Sequence, residues 1–176
     1  MAEAARPSHE ALLSAKMKDL GSANGFTDEI HALVGHSPFF AEFTRDDIEQ
    51  LADYMQVYLA RPGQIIIHEG DGGDYMMLII RGEVDILKNN LLGVQQQMAS
   101  VSSGMTLGEM SMIDGEPRFA SCVATRETVF ATLTRDSMAK IILERPSLGA
   151  KFLVKLVTLL SQRLRQTSIK LLQLMK

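Results

Sequence analysis

Apolar residues along this chain change their period twice. Up to about residue 55 they recur at helical spacing. Leu12, Leu13, Met17 and Leu20 fall near one helical face, with Ser8 in the capping position. The G-S-A-N-G run at 21–25 ends that segment. Thr27 and Asp28 open a short second helical turn carrying Ile30, Leu33 and Val34. Thr44 starts a third: T-R-D-D-I-E-Q-L has the form of a capping box, with an acid at the third helical position. Ile48, Leu51, Ala52 and Met55 form its buried stripe. From residue 56 short apolar runs alternate with glycines at 63, 70, 72, 73, 82, 93, 104, 108 and 115. Strands are expected at about 56–60, 64–68, 75–80, 83–88, 91–101, 119–125 and 128–134. Val129, Ala131 and Leu133 alternate with Thr128, Thr132 and Thr134, the pattern of a half-buried strand. Asn89-Asn90 is a hairpin signal, since Asn tolerates positive φ. Evenly spaced short strands with turn glycines predict a β-sandwich, jelly roll or small barrel.

After residue 135 the helical spacing returns. Thr134 or Asp136 caps a segment through Met138, Ile141, Ile142 and Leu143, which stops at Pro146. The last helix is expected from about 147 to the end. Leu153, Val157, Leu160, Leu164, Thr167, Leu171 and Leu174 make a heptad seam along it, and Leu148, Phe152, Leu156 and Leu159 make a second stripe. A helix with two apolar stripes must bury both. One docks on the β structure, and a second copy of the helix is expected on the other. The alternative is that both stripes face one chain's core.

Length and composition narrow the class. The 176 residues amount to about one domain, and 46% apolar with 22% charged residues is an ordinary globular balance. A single cysteine, Cys122, excludes an internal disulfide. The start M-A-E-A-A-R-P-S-H-E has no signal-peptide pattern, and no run is long and apolar enough to span a membrane, so a cytoplasmic protein is expected. The net charge of −3 is unevenly spread: residues 140–176 carry 8 Lys and Arg against one acid, Glu144, while residues 1–139 carry 10 against 20. A basic last helix docked on an acidic body accounts for this, with a nucleic-acid or membrane surface as the rival.

The stretch from Thr106 to Ala124, T-L-G-E-M-S-M-I-D-G-E-P-R-F-A-S-C-V-A, carries the chemistry. Gly108 allows close backbone approach, and the amides of Glu109 to Ser111 would open a helical turn, where unpaired N–H groups hold anions. Arg118 supplies a planar donor fork suited to a phosphodiester. Glu109 has the wrong sign for phosphate but can accept from a neutral hydroxyl beside it. An exposed Glu109–Arg118 ion pair is the plainer alternative. His9, His31, His36 and His68 are too scattered for a metal site. Asp71 and Asp74 read as turn formers and Cys122 as an inert buried thiol, while Met76, Met77 and Met112 are candidates for an adaptable pocket. No nucleophile–base pair stands out, so a binding module is expected rather than an enzyme.

This stretch resembles the phosphate-binding cassette of cyclic nucleotide-binding domains, of the catabolite activator and cAMP-dependent protein kinase regulatory subunit type. There, Gly-Glu-Leu-Ala-Leu is followed by Pro-Arg-Ala-Ala. Gly108-Glu109-Met110-Ser111-Met112 matches the first block and Pro117-Arg118-Phe119-Ala120 the second. The glycine-framed run from Pro62 to Ile86 extends the resemblance, which covers residues 37–176 and leaves 1–36 as an N-terminal helical extension. The resemblance implies an α+β fold: a β-roll, a jelly-roll-like double-stranded β-helix, flanked by N-terminal helices and two C-terminal helices. It implies that Glu109 accepts from the ribose 2′-hydroxyl and Arg118 pairs with the cyclic phosphate. The amides of Met110, Ser111 and Ala120 would complete the cradle. Phe119 departs from the Ser, Thr or Ala common after the arginine. The last helix resembles the dimerising helix of the bacterial catabolite activator, where a Thr-Ser pair meets adenine; Thr167 and Ser168 fall on those positions, although Thr167 also suits a plain seam residue. The implied ligand is cAMP first and cGMP second, sensed by a homodimer that passes occupancy to a protein partner through the C-terminal helix. The chain ends at Lys176 where the activator continues into a helix-turn-helix domain, so direct DNA binding is not expected. An interaction subunit with Phe119 filling a degenerate pocket, and a nucleic-acid-binding regulator, are the rival readings.

Overall fold

The computed structural model describes residues 9–175. Helix α1 (His9–Lys16) leads into strand β1 (Lys18–Ser22), a 3-10 turn (Ala23–Phe26), and helices α2 (Thr27–Ala32) and α3 (Arg45–Ala52). The strands β2 (Gln56–Ala60), β3 (Ile65–Ile67), β4 (Tyr75–Arg81), β5 (Glu83–Asn89), β6 (Gln95–Ser102) and β7 (Thr106–Leu107) follow. A short helix, α4 (Glu109–Asp114), separates β7 from β8 (Ser121–Ala124) and β9 (Thr128–Thr134), and helices α5 (Arg135–Glu144) and α6 (Pro146–Leu174) close the fold. The strands form two antiparallel sheets, β1-β2-β9-β4-β7 and β3-β8-β5-β6. This is the expected α+β architecture, a β-roll with helices before and after it.

The larger sheet is covered on both faces, and β4 shows how. Met76, Leu78 and Ile80 join the helix-side core with Phe39, Ile48, Ile141 and Phe152, while Tyr75, Met77 and Ile79 face the interior of the roll with Ile67, Leu107 and Cys122. The period of two therefore splits a continuous apolar run between two cores. The same holds for β9, which is not half-buried as its alternation suggests. Thr128 and Thr132 are also buried, their hydroxyls donating to Glu83 O and Gln56 O.

Three local expectations fail for identifiable reasons. The first helix does not continue through Leu20: it ends at Lys16, and residues 18–22 pair with β2 as an edge strand, with Gly21 at φ +91°. Its proposed cap, Ser8, lies outside the described residues. Asn89 is still in the β5–β6 ladder opposite Gln95; the turn runs from Asn90 to Val94, organised by the Asn90 side chain, which accepts from the amides of Leu92 and Val94. The strand expected from 91 thus begins at Gln95. Strand β7 was not expected at all, since two residues carry no periodicity.

The helical ends agree with the capping signals. Thr44 and Asp47 form the reciprocal capping box, and Thr134 rather than Asp136 caps α5. Pro146 occupies the first turn of α6, where its missing N–H costs nothing. In α6, Leu148, Phe152, Leu156 and Leu159 are buried against the body, with the Phe152 ring edge-on to Phe39 at 4.9 Å. The seam residues Leu153, Val157, Leu164, Leu171 and Leu174 are exposed. The basic helix is docked on acidic residues of α3, of the turn before it and of α4: Lys151 meets Asp47 at 2.6 Å, Lys155 meets Glu42 at 2.9 Å and Arg163 meets Glu109 at 3.0 Å.

Candidate functional site

The chain between β7 and β8 builds one wall of a cavity of about 340 Å³, and α6 builds the facing wall. Gly108 caps α4 with φ +82°, a conformation that disfavours any side chain, and a Cβ there would lie 2.7 Å from Arg118 Nη1. The first amides of α4 have no intrahelical acceptor. Eight of the nine expected residues line this cavity: Gly108, Glu109, Met110, Ser111, Arg118, Phe119, Ala120 and Thr167. Ser168 does not; its hydroxyl donates back to Leu164 O on the exposed side of the helix.

Arg118 is 4% exposed and held from several sides. Its guanidinium donates to Gly108 O at 3.0 Å and Tyr75 O at 2.9 Å, and its carbon lies 4.4 Å from the Tyr75 ring centroid. Gly73 packs directly on it, since a Cβ there would fall on the guanidinium itself. Arg118 also lines a second cavity of about 270 Å³, together with Leu12, Leu13 and Lys16 of the N-terminal helix. Burial pushes the Tyr75 hydroxyl up to about 12, and it donates to Ile66 O.

Glu109 is 2% exposed, and it is not paired with Arg118. Its Oε2 accepts from Arg163 Nη1 at 3.0 Å, while Arg163 Nη2 donates to Thr106 O at 2.8 Å. Oε1 is buried and has no hydrogen-bond donor. A buried carboxylate oxygen without a donor is costly, and it belongs to a residue that lines the cavity. The exposed Glu109–Arg118 ion pair considered from the sequence is therefore absent.

Phe119 does not fill the cavity. It is 53% exposed at the rim, where Lys88 Nζ lies 4.5 Å from the ring centroid and donates to Phe119 O and Glu69 Oε1. That Lys88 bond, with one from the Asn89 amide, holds the Glu69 carboxyl below the usual range. Cys122 lines the cavity floor, and burial pushes its thiol up to about 12, which makes it a poor nucleophile at neutral pH. Met76, Met77 and Met112 belong to the cores; the methionines of the cavity are Met98, Met105 and Met110. Among the described residues no group of three His, Cys, Asp or Glu stands together as a metal site. None of their helices is long and apolar enough to cross a membrane.

Sequence reasoning missed Arg163, Gln166 and Lys170 of α6 and the supporting Gly73 and Tyr75. The helical period held a usable signal, since Arg163 and Lys170 are four residues before and three after Thr167 and so share its face.

Comparison with known proteins bears on this geometry. Residues 59–145 match the family model of the cyclic nucleotide-binding domain. A crystal structure of a cyclic nucleotide-binding domain from Methylobacillus flagellatus is similar at 36% identity and a TM-score of 0.85, over 96% of this chain and 96% of that one. The chain belongs to the cyclic nucleotide-binding domain family. Among its relatives is the cyclic AMP receptor protein of Thermus thermophilus, 30% identical over 77% of this chain and 61% of that protein. A cAMP-dependent protein kinase regulatory subunit of Aspergillus niger is 32% identical over 66% of this chain and 26% of that protein. The chain thus spans about three-fifths of the first and about a quarter of the second.

Proposed function

We propose that this protein senses cAMP in the cavity between the β7–β8 segment and α6, and converts occupancy into a change in α6. The observation that carries the reading is Glu109: a carboxylate 2% exposed, in a cavity wall, with Oε1 lacking a donor and a buried guanidinium, Arg118, in the same wall. Carboxylate and guanidinium together suit a ligand presenting a neutral hydroxyl beside an anionic phosphate, which is the ribose side of a cyclic nucleotide. Glu109 accepts from the ribose 2′-hydroxyl, Arg118 and the amides of Met110, Ser111 and Ala120 hold the phosphate, and Thr167 faces the base. The cavity volume lies within the range of small-ligand sites, about 300–1,000 Å³. The named cAMP relatives support cAMP over other nucleotides. That Phe119 stands at the rim speaks against a pocket closed by its ring. Residues 37–176 would form the binding domain, with 1–36 as an extension. A second copy of α6 covers the exposed seam, and Ser168, outside this protomer's cavity, becomes available to the partner's; a monomeric Leu164→Asp variant by light scattering would bear that out, and a monomeric parent protein would refute it.

The test is calorimetric titration with cAMP and cGMP. Protein stripped of nucleotide binds cAMP. Arg118→Lys weakens binding by roughly tenfold and Arg118→Ala by more, because lysine keeps the charge and loses the fork. Unchanged affinity in Arg118→Ala, or no binding by the parent at millimolar cAMP, overturns the reading.

A further inference from the structure

Three cations line the cavity, Arg118, Arg163 and Lys170. Arg118 is engaged by Gly108 O and Tyr75 O, and Arg163 by Glu109 and Thr106 O. Among the described residues Lys170 is the one of the three with no protein acceptor. It lies three residues after Thr167 on the same helix, so the two line one patch of the α6 wall. Thr167 Oγ1 donates its proton to Arg163 O at 2.9 Å and therefore offers the cavity only lone pairs. Lys170 offers only donors. The patch is thus an acceptor beside a donor.

We infer that Lys170 is a specificity-determining residue which, with Thr167, reads the edge of a 6-aminopurine: the amino group donates to Thr167 Oγ1 and a neighbouring ring nitrogen accepts from Lys170. This rests on the cyclic-nucleotide reading of the cavity. Adenine presents its amino donor between two acceptors, N1 and N7, and either complements the patch. Held in the same orientation, guanine puts O6 in place of the amino group, against the Thr167 lone pairs, and on the N1 side it puts an N1–H donor against the Lys170 donors. Selection between the bases then follows from which partner is left unmatched, since an unpaired group costs more than a pair gains. Within one protomer Lys170, rather than Ser168, supplies the second base contact.

The test is calorimetric titration of cAMP, cGMP, 7-deaza-cAMP and 1-deaza-cAMP into the parent protein, Lys170→Met and Arg165→Met. Arg165 is exposed on the same helix and does not line the cavity, so its loss reports the charge change alone. The parent should bind one of the two deaza analogues roughly tenfold more weakly than cAMP. Lys170→Met should bind cAMP about tenfold more weakly than the parent and bind that analogue and cAMP alike. The N7 and N1 arms identify which nitrogen is read. Arg165→Met should stay near the parent, and an unchanged melting temperature shows that Lys170→Met is folded. Equal loss in Lys170→Met and Arg165→Met, or undiminished discrimination between cAMP and the analogue in Lys170→Met, overturns the inference while cAMP binding by the parent stands. No cyclic nucleotide binding by the parent overturns it together with the functional reading.

Discussion

Arg163 is the tie between α6 and the cassette, and its removal tests the geometry without any ligand. In Arg163→Met the two bonds to Glu109 Oε2 and Thr106 O, at 3.0 and 2.8 Å, are lost together. A hydrogen bond to a charged group contributes about 1.5–3 kcal/mol. Breaking a fully buried pair costs about 3–5 kcal/mol, because the remaining charge stays desolvated. Glu109 is that remaining charge, at 2% exposure, but the Arg163 side chain is 34% exposed, so water already screens part of the attraction. The expected loss is therefore about 2–3 kcal/mol, below the fully buried case. For a chain of this size that lowers the melting temperature by about 5–10 °C. Adding Glu109→Gln to Arg163→Met should recover part of the loss, because a neutral amide is easier to bury than an unpaired carboxylate; the two changes should be coupled by about 1 kcal/mol or more. Urea unfolding of the parent, both single variants and the double variant measures this. A loss under about 0.5 kcal/mol in Arg163→Met, the size of an ordinary surface change, or simple additivity in the double variant, would show that Glu109 does not depend on Arg163.

Two further outcomes follow from single contacts. Gly73→Ala places a methyl group on the Arg118 guanidinium; it should weaken cAMP binding by roughly tenfold or more, and unchanged affinity would show that the arginine tolerates displacement. Burial alone would raise the Asp47 carboxyl, but Lys151 with the amide and hydroxyl of Thr44 outweigh it, so the folded-state value lies below the ordinary one. Its contribution is complete above the unfolded-state value near about 4 and is lost as pH falls through the folded-state value. The stability difference between the parent and Lys151→Met in urea should shrink between about pH 5 and pH 2, and a constant difference would refute the pairing.

How much was legible from the chain depends on the range of the signal. The capping box at Thr44, the strand alternations and the two stripes of α6 are local patterns, and each marks its element. The cassette was legible as two ordered blocks of matching residue types, which the fold brings into one cavity wall. What the chain hid depends on pairing at a distance. Lys18–Ser22 reads as a helix end until β2 offers an edge, and Thr106–Leu107 is a strand only because β4 lies beside it. The partner of Glu109 was missed for the same reason: Arg118 is near in sequence, but Arg163, 54 residues away, is the one in reach. Burial of Thr128 and Thr132 likewise depends on distant carbonyls that accept from their hydroxyls.

The two halves of α6 are held by different forces, and this limits where the proposed switch can act. Leu148, Phe152, Leu156 and Leu159 are all buried in the first half. At about 1.5–3 kcal/mol for each buried side chain, lifting that half off the body would cost several times the 1–3 kcal/mol typical of coupling between sites. A ligand can shift an equilibrium only by its differential affinity for the two arrangements, so cAMP cannot move the first half. Beyond Leu159 the cavity-lining residues are Arg163, Gln166, Thr167 and Lys170, and Arg163 is tied to the residue proposed to take the ribose. Ligand-driven change should therefore begin after Leu159. Hydrogen exchange with and without cAMP should leave residues 147–158 unaltered and change protection in 160–174, and Thr167→Ala should reduce that change while cAMP still binds. A change spread evenly over the whole helix would mean that the buried stripe is not the anchor. Identical exchange in both states, with the cassette protected, would show that α6 does not report occupancy.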